Sequence, residues 1–161
     1  MLDHSASFIG AVSGFNHGDS LDLGDVAFGS GIDFLVGGDG NDILVGGTGN
    51  DVLSGGQGAD AFTVNAGETG SGNADTIVDY NFVEGDKLDL SSMLDIALGK
   101  SVTDYVEVTQ TGSDITVRVD VNGGGSFATG AGEVYTLTGI GTDGADPLSV
   151  LIDGTEHQFT V

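Results

Sequence analysis

Cysteine and tryptophan are missing from this 161-residue chain, proline occurs once, and lysine plus arginine together occur three times. Without cysteine there is no disulfide staple, and no redox compartment is implied. With so few cations the surface has little to offer phosphate, which makes nucleic acid and anionic membranes poor partners. No apolar run is long enough to span a bilayer, so membrane insertion is not expected, and no basic-plus-apolar leader opens the chain. Catalytic signatures are equally scarce: there is no H-E-x-x-H zinc pair, no G-x-S-x-G elbow and no phosphate loop. His4, His17 and His157 lie far apart and read as surface residues. The chain is expected to be no enzyme.

What is abundant is aspartate and glycine. There are 25 acidic residues, 20 of them Asp, alongside 30 Gly, and the net charge is -22. Acidity for solubility alone could use Glu, the better helix former, so the bias toward Asp suggests ligands carried on turns. Such a charge keeps a chain expanded by self-repulsion until something neutralises it. Yet 39% of the residues are apolar, in regular strand-like runs, which is not the composition of a disordered protein.

The glycines and aspartates are organised between residues 28 and 63, where a nine-residue phrase is repeated without gaps. Gly37 to Val45 reads GGDGNDILV, Gly46 to Ser54 reads GGTGNDVLS, and Gly55 to Thr63 reads GGQGADAFT. A weaker copy, Phe28 to Val36, has Phe in place of the first Gly. The sixth position is Asp in all four copies, as Asp33, Asp42, Asp51 and Asp60. A flexible Gly/Asp linker would not hold an invariant Asp and an apolar triplet in phase.

Each phrase reads as a tight glycine turn followed by a short strand. The turn aims carbonyl oxygens at a shared point and the Asp adds carboxylate, a ligand set suited to Ca²⁺ more than Mg²⁺. In the strand, Leu35, Leu44, Leu53 and Phe62 are expected to face inward. Phe34, Val36, Ile43, Val45 and Val52 are expected to face outward as an apolar stripe. Two phrases make one coil of a parallel roll, and coils must stack to bury their apolar faces. Stacking then sets the Asp33 turn on the Asp51 turn and the Asp42 turn on the Asp60 turn, for about two complete Ca²⁺ sites with partial ones at the ends.

The phrase resembles the nonapeptide of the RTX (repeats-in-toxin) family, closely over residues 37–63 and partially over 28–36. The resemblance implies a Ca²⁺-binding parallel β-roll in a bacterial protein exported by type I secretion. Carried over position by position, it makes Asp33, Asp42, Asp51 and Asp60 side-chain ligands, with Asp39 in the same turns. It makes the loop glycines Gly29, Gly31, Gly37, Gly38, Gly40, Gly46, Gly47, Gly49, Gly55, Gly56 and Gly58 carbonyl donors. Downstream, Asp75-Thr76-Ile77-Val78-Asp79-Tyr80 is similar to the strand that often follows the last RTX repeat. Asp75 and Asp79 are therefore candidate ligands or turn anchors, whereas Asp86 is not counted among the ligands. The resemblance also implies an uncleaved C-terminal signal read by an ABC transporter, and a secreted or cell-surface location in a Gram-negative bacterium.

Around the repeats, residues 1–27 read strand–turn–strand and share an aromatic-Asn and Gly-Asp-x-Leu-Asp-Leu phrase with residues 80–90, as if the two flanks capped the roll. Residues 64–161 form the third segment. It opens with a loop and a short helix, Met93 to Leu98, capped by Ser91 or Ser92. A hairpin pairs Val102–Gln110 with Asp114–Val121, and a strand follows at Glu133–Ile140. A second helix is expected at Leu148–Ile152 after Pro147, with a final strand or tail from His157. The expected fold is all-β: a short parallel β-roll followed by an antiparallel β cap with one or two short helices.

The expected function is a non-catalytic module that binds Ca²⁺ and folds with it outside the cell, at the C-terminal end of a type I secreted adhesin or surface protein. Its partners would be the secretion machinery and the upstream domains of its parent. The outer apolar stripe would be covered by the flanks or would serve a homodimer. Two rival roles are a polysaccharide-binding module, like those of alginate-modifying enzymes in the family, and the tail of a secreted protease or lipase. Few cations disfavour a polyanionic glycan but not a neutral one.

Overall fold

A computed structural model describes residues 11–12, 15–16, 32, 34–64, 74–125, 127, 133–138 and 147–160. The flank reading of residues 1–27 and the first repeat turn, with Gly29, Gly31 and Asp33, lie almost wholly outside the described residues. Thirteen strands follow one another, and among the described residues the only helical turn is Val102–Asp104. The fold is all-β.

Two sheets face each other. The first runs β1 (Ala11–Val12), β3 (Phe34–Asp39), β5 (Val52–Gln57), β7 (Ala74–Ile77), β11 (Glu133–Leu137), β10 (Asp114–Val119) and β9 (Val106–Thr111), with β2 (Phe15–Asn16) also on β3. The second runs β13 (Thr155–Phe159), β12 (Leu148–Ile152), β8 (Lys87–Asp89), β6 (Ala61–Thr63) and β4 (Ile43–Leu44). Consecutive strands of the repeats fall on opposite sheets, so the chain winds. Phe34 pairs with Val52 and Ile43 with Ala61, both parallel and both two repeats apart, as the stacking rule requires.

The winding outlasts the repeats. β7 continues the first sheet and β8 the second, still parallel to the strands before them. Only then do antiparallel partners enter: β10 with β9 and β11, and β13 with β12. The hairpin β9–β10 was legible from its alternation. The helix expected at Leu148–Ile152 is instead strand β12, wedged between β8 and β13. Its residues Leu-Ser-Val-Leu-Ile are nearly all buried, and a run apolar on both sides suits an inner strand better than one face of a helix. Met93–Leu98 is a turn followed by irregular chain, not a helix.

The core lies between the sheets. Leu35, Leu44, Leu53 and Phe62 are buried, as the alternation predicts, and they join Ile77, Leu88, Leu137 and Val150 from the later coils. Phe34, Val36 and Ile43 face outward and are exposed. Val45 departs from the expected outer stripe: β4 ends at Leu44, alternation lapses, and Val45 is buried. Tyr80 carries its hydroxyl inward, where it accepts a hydrogen bond from the Ser149 amide at 2.9 Å and joins the coil end to β12.

Because Phe62 is fully enclosed between both sheets, Phe62→Ala should cost about 3–5 kcal/mol of stability. Urea unfolding with Ca²⁺ present measures this, and a loss below about 1 kcal/mol would be incompatible with the enclosed position.

Candidate metal centre

The glycine turns stack at backbone contact. Gly56 and Gly58 have φ of 102 and 130°, and a Cβ on either would run into the carbonyl oxygen of Gly38 or Gly40 in the turn beneath. No other residue type satisfies both the positive φ and the closeness. One column of turns therefore consists of residues 37–41, then 55–59, then the loop ending at Asp86. On the opposite side, the Asn50-Asp51 turn is followed by Ala74-Asp75.

Within each column the sixth-position Asp has two jobs, one per oxygen. Oδ1 of Asp60 accepts the backbone N–H of Asp42 in the coil below, at 2.8 Å. Asp86 does the same for Asp60 at 2.9 Å, and Asp75 for Asp51 at 2.8 Å. The fifth position bonds in the opposite sense, since the Asn41 side chain accepts the Ala59 amide of the next coil and Asn50 accepts the Ala74 amide. Oδ2, by contrast, turns back beside the first glycine of its own repeat. A Cβ on Gly37 would lie 2.6 Å from both Asp42 Oδ2 and the Gly55 carbonyl oxygen of the next coil. On Gly46 it would lie 3.0 Å from Asp51 Oδ2 and 3.3 Å from Asp75 Oδ2. Oxygens from successive coils thus converge in cradles that a glycine leaves open.

Electrostatics make these cradles costly as they stand. Asp42, Asp51, Asp60, Asp75 and Asp86 are all buried. The three basic side chains are engaged elsewhere: Lys87 with Glu156, Arg118 with Glu107, and Lys100 with the Gly123 carbonyl. Burial raises the pKa of Asp60, with Asp42, Asp79 and Glu84 adding repulsion, and its Oδ2 is enclosed without a hydrogen bond. Burial likewise pushes Asp86 up to about 6. Buried carboxylates drawn this close together favour a cation between them. Among the described residues no three His, Asp or Glu side chains form a ready cluster, so an ion held here must draw on main-chain carbonyls as well. Mixed carbonyl and carboxylate oxygen is the donor set of Ca²⁺, and the residues fit it.

The other predicted residues are placed as follows. Gly37, Gly46 and Gly55 are the buried first positions, and Gly38, Gly40, Gly47, Gly49, Gly56 and Gly58 supply the positive-φ turns. Asp39 is exposed and accepts a hydrogen bond from the Gln57 amide nitrogen, apart from the buried set. Asp79 sits over the Gly55–Gly56 turn, where its carboxylate accepts from Ser54 Oγ, Gly55 N and Gly56 N. Asp86, left outside the expected ligand set, belongs to the column. The signal lay in phase: Ala74-Asp75-Thr76-Ile77 and Gly85-Asp86-Lys87-Leu88 each repeat the fifth-to-eighth positions of Ala59-Asp60-Ala61-Phe62.

Comparison with known proteins adds the following. Residues 29–62 match the model of the RTX calcium-binding nonapeptide repeat in four copies. Among solved structures, a match is the AlgE6R3 subunit of the mannuronan C5-epimerase from Azotobacter vinelandii. It is 28% identical, covers 69% of this chain and 67% of its own, and has a TM-score of 0.44. No curated protein matches the chain.

Asp60→Asn keeps shape and removes charge, and it should lower Ca²⁺ affinity at least tenfold; Gly37→Ala should do the same by filling the cradle. Titration calorimetry reads both, and wild-type affinity in both variants would remove the cradles from consideration. The raised pKa values of Asp60 and Asp86 mean that the folded state binds protons more tightly than the unfolded chain. Metal-free protein should therefore gain stability as pH falls through about 6 toward the unfolded value of 3.8, and lose it again as pH rises. Chelator-treated protein followed by circular dichroism from pH 7 to 4 tests the sign.

Proposed function

Taking residues 29–62 as RTX calcium-binding repeats, we propose that this chain is a non-catalytic module whose folding is coupled to Ca²⁺ outside a Gram-negative cell. The observation that carries this reading is the convergence of buried carboxylate and carbonyl oxygens from successive coils beside Gly37 and Gly46. Asp42 and Asp60 with the Gly55 carbonyl would hold one ion, and Asp51 with Asp75 another, for about two sites in the described coils. The ion supplies positive charge and accepts oxygen donors in a flexible number.

The side chains explain the conditional fold. At low Ca²⁺ the sixth-position carboxylates of stacked coils repel, and the Oδ1-to-amide bonds that set register cannot form without bringing them together. The chain then stays expanded and competent for export, which suits passage through a type I ABC transporter. Outside, at roughly millimolar Ca²⁺, the same carboxylates become the bonds between coils. The calcium-responsive segment runs past residue 63 to Asp75 and Asp86, because these bind the amides of Asp51 and Asp60. A parent adhesin or surface protein is one context; a polysaccharide-binding module of a glycan-modifying enzyme is a comparably supported alternative, and the tail of a secreted protease or lipase is another. No catalytic role is assigned, since the buried acids are already committed to backbone amides.

Circular dichroism across a Ca²⁺ titration, paired with a metal count by equilibrium dialysis, tests the coupling. The expected result is a β signal that appears with Ca²⁺, collapses with excess chelator and tracks about two or more bound ions. A β signal indifferent to chelator, with no ion retained, would end this reading.

A further inference from the structure

The outward face of the first sheet carries an unbroken rank of side chains that the calcium chemistry does not use. Phe34 pairs with Val52, Val52 with Thr76, Thr76 with Thr136, Thr136 with Thr116, and Thr116 with Thr109. Their chain neighbours Leu35, Leu53, Ile77, Leu137 and Ile115 are buried in the opposite direction, which sets the rank on the outer surface. Four threonines on adjacent strands present a hydroxyl and a methyl about every 4.8 Å, over a line of roughly 14 Å. Beside them run Val36, Ser54, Val78 and Thr138, and the exposed ring of Phe34 stands on β3, with Ala11 of β1 paired beyond it.

The rank from Phe34 to Thr109 itself carries no charged side chain, on a molecule of net charge -22, and charge on this face is confined to its flanks on β9 and β10. Its one cation, Arg118, is paired with Glu107 at 3.0 Å, and Asp114 stands at the margin. A polyanion would be repelled by the molecule as a whole and find no free basic side chain among the described residues. An apolar protein face would leave the threonine hydroxyls without partners, at the cost of burying unsatisfied polar groups. Sugar hydroxyls both donate and accept, as threonine does, and pyranose C–H faces pack on methyls and on an aromatic ring.

We propose that this strip is a docking surface for a neutral polysaccharide chain laid across the strands, from Phe34 toward Thr109. The proposal rests on the calcium-folded module, because β3 and β5 of the strip belong to the repeats. Affinity electrophoresis in millimolar Ca²⁺ against cello-, xylo- and malto-oligosaccharides and a β-1,3-glucan, with an alginate oligomer as the anionic comparator, tests it. Retardation by at least one neutral glycan is expected. A Thr76→Val/Thr136→Val/Thr116→Val variant, which keeps shape and β propensity, should weaken it at least tenfold, and Phe34→Ala several-fold, with circular dichroism unchanged. Folded wild-type protein that ignores every neutral glycan would overturn the proposal, as would preferential binding of the alginate oligomer or binding insensitive to these variants. Self-association abolished by Phe34→Ala, with no glycan bound, would mark the strip as a dimer face instead. Failure to fold with Ca²⁺ in the wild type would implicate the calcium reading rather than the strip.

Discussion

A carboxylate that serves two coils at once is the interaction on which the rest depends. Asp60 accepts the Asp42 amide of the preceding coil through one oxygen and turns the other beside its own glycine turn, and Asp75 and Asp86 accept the Asp51 and Asp60 amides in the same way. The first bond sets register, since a slip by one residue would point every apolar side chain at solvent. The second collects negative charge in a place that water does not reach. Stacking and charge burial are therefore one event. A cation that compensates the charge would stabilise a fold organised this way, which is the physical basis of the proposed coupling of folding to Ca²⁺.

Glycine makes the arrangement possible at two distances. At the second and fourth positions it accepts a positive φ, and at the same positions it lets a carbonyl from the coil below approach closely. At the first position it leaves a cradle where oxygens converge. Cβ atoms at these sites would fill the spaces the oxygens need. The repeat is thus constrained by backbone geometry and ligand chemistry together, which explains why the apolar triplet varies between copies while Gly and Asp hold.

The later chain closes the stack. β7 and β8 extend both sheets, and Asp79 rests its carboxylate on three donors at Ser54, Gly55 and Gly56. β11 and β12 then cover the growing edges in parallel, and antiparallel partners, β10 with β9 and β13, close the sheets beyond them. Tyr80 stitches this closure to β12 through the Ser149 amide. One core runs through repeats and closure alike, so the two share their packing.

Sequence alone determined the nine-residue period, the turn-plus-strand unit, the inward Leu35, Leu44, Leu53 and Phe62, and the two-repeat stacking distance. Each follows from a local pattern read in phase, where period and residue type leave a single solution. Tertiary structure decided what depends on neighbours far along the chain. Leu148–Ile152 is a strand because β8 and β13 offer edges on both sides of it. Val45 is buried because β4 stops one residue earlier. Asp75 and Asp86 complete the columns although loops of different length separate them from the repeats, and only the fold brings them into line. The threonine rank gathers residues from positions 76, 109, 116 and 136, and no local period could announce it, since sheet pairing alone makes those residues adjacent.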